Sequence, residues 1–170
     1  MNLDYCQKTL SANAAVIYEM AKTVGAEQAC WKPTADDWSI LEVLQHLVDE
    51  ERKDFPFRLR HLLSGTRDPW PPIAPQQWVA ERGCDPADLH ETFEVFRAER
   101  QRSLGWLSTL SNADWTLTYT HPPLDGLSAG HLLTSWVTHD LLHMRQLVEL
   151  KYAYGHTQFG RFSPDYAGEW

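Results

Sequence analysis

The chain has 170 residues, with 23 acidic and 15 basic side chains, eight histidines and a formal net charge of -8. That length predicts one domain, and 43% apolar residues suffice for a packed core. The acidic balance excludes a nucleic-acid backbone as the main partner, because phosphate contacts need clustered Lys and Arg. The start, Met1-Asn2-Leu3-Asp4, is not a basic segment followed by an apolar run. No stretch nears the roughly 18–20 apolar residues that span a bilayer, so a cytoplasmic protein without membrane attachment is expected. Cys6, Cys30 and Cys84 form no C-x-x-C pair and read as reduced, packed thiols.

Leu3, Cys6, Leu10, Ala14, Ile17 and Met20 recur at helical spacing, and Gly25 supplies a stop. This predicts a first helix over residues 4–24. Ser39 followed by Glu42 makes a capping box, with Trp38 and Val43 able to form a hydrophobic staple. The second helix runs over 39–64, with a kink or break at Pro56. Residues 66–84 hold four prolines with Trp70 and Trp78 and show neither helical nor strand period. They read either as a lid or as a rigid extended connector.

Asp85-Pro86 opens a third helix over 86–110, where Arg97, Arg100 and Arg102 read as a solvated face. Thr116 to Thr120 is β-prone but has no partner strand in sight. The fourth helix covers 128–152, and the aromatic tail 155–170 is expected to lie along the surface. The whole is expected to be a single all-α domain, a four-helix bundle with long connecting loops.

Chemistry concentrates on two of these helices. His139 and His143 are one turn apart, about 40° apart on the helical wheel, and point inward. His46, in the second turn of the second helix, sits at the margin of its apolar face. Three imidazoles with one open position form the usual arrangement of a catalytic metal, at which water or a thiol is activated. The alternative is three ordinary core or surface histidines, since an H-x-x-x-H pair alone is common. Glu50, one turn after His46, is the candidate general base or ligand-orienting carboxylate. Asp140 needs a buried partner from the first or third helix and reads as structural. Gln146 is placed to reach the site mouth. Trp38, Trp106, Trp115 and Trp136 fall at cap or core positions. His61, His90, His131 and His156 have ordinary explanations, while His121 could line the mouth.

Trp31-Lys32-Pro33 precedes Trp38-Ser39-Ile40-Leu41-Glu42 and His46-Leu47, and the later segment reads His139-Asp140-Leu141-Leu142-His143-Met144-Arg145-Gln146-Leu147. Together these segments resemble the DinB-like superfamily of small bacterial helical proteins, over about residues 4–152. The resemblance implies a four-helix bundle whose divalent metal is held by three residues, here His46, His139 and His143. It also implies either a metal-dependent hydrolase or a transferase using a low-molecular-weight thiol on a small-molecule substrate. A divalent ion, zinc or nickel, is the expected cofactor. A homodimer is the expected assembly. The competing reading is a non-catalytic bundle that binds a metal or a small ligand in a stress response.

Overall fold

Apolar residues at every third or fourth position fold Leu3–Ala21 into α1, whose first turn is capped by the Asn2 side chain accepting the Tyr5 amide. In the computed structural model, which describes residues 1–170, a short α2 follows at Ala26–Cys30. Next come α3 at Ile40–Lys53, α4 at Phe55–Leu63 and α5 at Pro75–Arg82. A 3₁₀ turn at Pro86–Asp88 leads into α6, Leu89–Leu107. The long α7 spans Ala129–Gln158.

The bundle consists of α1, α3 continued by α4, α6 and α7. α3 packs on α6, α1 packs on α6 and α7, and α4 packs on α7. The β-prone run makes only an isolated bridge between Thr118 and Ser128, so there is no sheet.

The capping box forms as expected: Ser39 N–H donates to Glu42 Oε2 at 2.7 Å and Glu42 N–H donates to Ser39 Oγ at 3.3 Å. Lys32 adds a 2.7 Å bond to Glu42 Oε1 and ties the preceding loop to the start of α3. The second predicted helix is broken at Asp54 (φ -117°, ψ -95°), and Pro56 lies in the first turn of the new helix, where its missing N–H costs least.

Two apolar layers occupy the ends of the bundle. One contains Leu10, Phe55, Leu59, Leu107, Leu133 and Trp136; the other contains Ile17, Leu44, Leu47, Phe96, Leu147 and Leu150. Each fully buried leucine contributes about 1.5–3 kcal/mol. Asn13, Glu51, Arg100 and Asp140 fall between those layers in sequence on their respective helices and form a buried polar belt. α3 lies at the centre and is buried on every side from Ile40 to Glu51.

Several expectations need correction. Cys30 and Cys84 are joined in a disulfide, leaving only Cys6 free and buried. They lie 54 residues apart, and folding α2 beside the chain that follows α5 brings them together. Arg100 is not on a solvated face: it is 2% exposed, whereas Arg97 and Arg102 do face solvent. The 66–84 segment is not an irregular connector throughout, because it holds α5 and buries Trp70 and Val79. The third helix ends at Leu107, and the first at Ala21, slightly short of their expected limits. The fourth helix continues through Gln158, and the tail returns to stack Trp170 on Tyr152 with ring centroids 4.0 Å apart. No helix is long and apolar enough to cross a membrane.

Candidate metal centre

α3 and α7 bring His46, His139 and His143 together in the polar middle of the bundle. His46 Nε2 lies 3.3 Å from His139 Nε2, and His143 Nε2 lies 3.1 Å from the same atom. One ligand atom from each ring can be chosen so that all three lie within 4.8 Å of one another. Three nitrogens bound tetrahedrally at about 2.0–2.1 Å would stand about 3.3 Å apart, so the spacing suits one small cation.

Burial sets the protonation of these rings. His46 is pushed down to about 3, first by burial and then by the neighbouring His143 and His139. His139 is also pushed down to about 3, by burial, by His143 and by the Arg100 charge. His143 is lowered by burial, while Gln146 and Asp140 act in the opposite direction. All three rings are therefore neutral near pH 7, the form that ligates metals.

The rings cannot all satisfy one another by hydrogen bonding. His139 Nε2 faces two other ring nitrogens, yet it can donate to only one of them. His46 Nδ1 is buried without a partner. His143 Nδ1 stands 2.8 Å from Gln146 Oε1; an acceptor there selects the Nδ1–H tautomer and leaves the Nε2 lone pair free. Convergent lone pairs that ring donors cannot all satisfy fit a divalent cation.

Glu50 Oε1 lies 3.6 Å from His46 Nδ1, the nitrogen turned away from the convergent Nε2 atoms. That position makes no hydrogen bond to the ring and faces away from the Nε2 side. Glu50 is pushed up to about 8, mainly by burial and next by the Asp54 carboxylate. Asp54 is raised by burial as well, while Arg58 pulls it down across a 2.6 Å ion pair. His46, Glu50, Asp54 and Arg58 thus form a buried ladder at four-residue spacing across the α3–α4 break.

Aromatic rings enclose the cluster. Trp38, expected as a cap residue, has its ring 4.9 Å from His46 and nearly parallel to His143 at 6.4 Å. Phe55 packs its ring 5.2 Å from His139 and stacks on Trp136. Asp140 accepts two bonds from Arg100 of α6 at 2.7 and 2.8 Å and one from Asn13 of α1 at 3.3 Å. The expected partner helices and the structural role of Asp140 are both present. Arg100 also donates to Glu51 at 2.7 Å, and Trp136 Nε1–H donates to the same oxygen at 2.9 Å.

Gln146 faces the cluster through His143, as its spacing suggested. His121 instead bonds the Arg67 carbonyl and packs beside Tyr119. His61 pairs with Trp70, and His131 with Ser128. The sequence reading missed Trp38 and Phe55 as walls of the site. Their signal was local: Trp38 immediately precedes the α3 cap, and Phe55 opens the helix after the break.

The sequence matches the DinB superfamily over residues 9–147. Among solved structures, YfiT from Bacillus subtilis superposes with a TM-score of 0.76 at 18% identity, covering 90% of this chain and 87% of that one. YfiT is described as a probable metal-dependent hydrolase with an unusual four-helix bundle topology. No curated relative matches the chain in sequence.

Proposed function

The chain belongs to the DinB superfamily, and we propose that it is a metal-dependent hydrolase of small molecules, with His46, His139 and His143 as the ligands of one divalent cation. The observation that carries this reading is the convergence of three neutral imidazole nitrogens, 3.1 and 3.3 Å apart around His139, which ring N–H donors cannot all satisfy at once. The description of YfiT as a probable metal-dependent hydrolase supports the same reading. Zinc or nickel suits an all-imidazole set. When bound, such an ion supplies a Lewis acid that polarises a substrate oxygen and lowers the pKa of water toward neutrality.

The protein's own part is positional. Gln146 holds the His143 tautomer, and Glu50 faces the Nδ1 edge of His46. Trp38 and Phe55 flank the rings and keep bulk water from two sides of the cluster.

The test loads metal-stripped protein with Zn or Ni and screens small esters and amides for hydrolysis. Turnover that requires the ion and vanishes in His139→Ala supports the proposal. One equivalent of bound ion without turnover of any substrate favours the sequestering bundle. The same screen with a low-molecular-weight thiol in place of water separates hydrolysis from thiol transfer.

A further inference from the structure

We propose that the Cys30–Cys84 pair is a thiol–disulfide switch that latches the Pro75–Cys84 segment along α3, the helix that carries His46. The inference rests on the three-histidine reading only for its effect on the metal.

Ser39, His46 and Lys53 are spaced seven residues apart, so they fall nearly on one line of α3, with a drift of about 20° per interval. The 75–84 segment runs antiparallel beside that line and is held at three points. Lys53 Nζ lies over the Trp78 ring at 4.2 Å, Arg82 donates to Asp49 at 2.8 Å, and Cys84 Sγ stands 3.5 Å from Ser39 Oγ. His46 lies between the second and third points. The cations of the first two holds, Lys53 and Arg82, are partly exposed, and each hold is weaker than a covalent bond. The covalent bond to Cys30 is the strong hold, and it closes the end nearest Trp38, the ring that packs against His46 and His143.

The pair is placed to react. Both cysteines are half-buried, within reach of a small thiol. Cys84 has no proton in the disulfide, so the Ser39 hydroxyl donates to its sulfur. That donor and the N-terminus of α3 stabilise Cys84 as the leaving thiolate when an external thiolate attacks Cys30 Sγ. The attack forms a mixed disulfide at Cys30, and the Cys84 thiolate takes up a proton. With a dithiol reductant, its second thiolate then displaces Cys30, which is protonated in turn. The protein disulfide gains two electrons and two protons, and the dithiol becomes a cyclic disulfide.

The experiment uses the full chain purified without reductant, loaded with Zn, and compared before and after reduction with dithiothreitol and anaerobic desalting. Peptide mapping should find Cys30 joined to Cys84 before reduction and both alkylated after it. Transfer of Zn to a chromophoric chelator should then quicken on the order of tenfold as the segment opens locally. Trypsin should also cut faster after Arg82. The Cys30→Ser/Cys84→Ser protein should behave as the reduced parent with or without dithiothreitol. Both cysteines alkylating without reduction would overturn the proposal, as would equal proteolysis in the two states. Equal Zn transfer in the two states likewise overturns it. If neither state retains Zn, the three-histidine reading fails, and proteolysis alone decides the latch.

Discussion

Replacing Arg100 with leucine removes the only cation in the buried belt. Arg100 is 2% exposed and donates to Glu51, to Asp140 twice and to the Leu10 carbonyl, all between 2.7 and 2.8 Å. Without it, Glu51 keeps Ser103 and Trp136, and Asp140 keeps only a 3.3 Å bond from Asn13. Two carboxylates then share the interior with no counter-charge, a loss of about 3–5 kcal/mol when one partner of a buried pair is removed. At about 2–4 °C per kcal/mol for a chain of this size, the midpoint falls by about 6–20 °C. Glu51 is already raised by burial, and losing the guanidinium raises it further. The folded variant therefore binds protons more tightly than the unfolded chain, and its deficit narrows as the pH falls. Thermal and urea unfolding across a pH series measure both effects. A loss under about 1 kcal/mol, independent of pH, would mean that Arg100 behaves as the surface residue its charge suggests, and the belt argument would fail.

In chelator-stripped protein, His46 and His139 titrate near 6.5 unfolded and near 3 folded, so the unfolded chain binds more protons and stability is lost as pH falls between those values. Glu50 has the opposite sign: raised from 4.5 to about 8, it costs stability as pH rises through that window. Glu50→Gln should therefore lose less stability than the parent between pH 5 and 8, and equal urea-unfolding slopes against pH would contradict this. Gln146→Leu should weaken Zn binding about 10- to 100-fold, as measured by competition titration, with the fold intact by circular dichroism. Unchanged affinity would remove Gln146 as the residue that holds His143. Cys84→Ser should cost about 4 kcal/mol, the chain-entropy value for a loop of this length, and unfolding in urea without reductant would show it.

The four long helices and the histidine cluster were readable because each rests on local repetition. The 3.6-residue period marks the helices, the Ser39–Glu42 box marks a start, and four-residue spacing puts His139 and His143 on one face. Arg100 was misread by residue type, although its position carried the signal: Phe93, Phe96, Arg100, Ser103 and Leu107 follow the core stripe of α6. Wherever a charge stands on such a stripe, buried carboxylates of opposite sign are the expected partners. The disulfide was invisible because it joins segments brought together only by folding. α5 was hidden because a helix of eight residues with Val79 as its single buried residue shows no period. The roles of Trp38 and Phe55 depend on how two distant helices meet, which no local pattern encodes.

His46, His139 and His143 together are proposed to hold one divalent ion. X-ray absorption spectroscopy of the protein loaded with one equivalent of Zn addresses it most directly. Three imidazole nitrogens should stand at about 2.0–2.1 Å from the ion, falling to two in His46→Ala. A sulfur ligand at about 2.3 Å, or the same spectrum for the parent and His46→Ala, would contradict it.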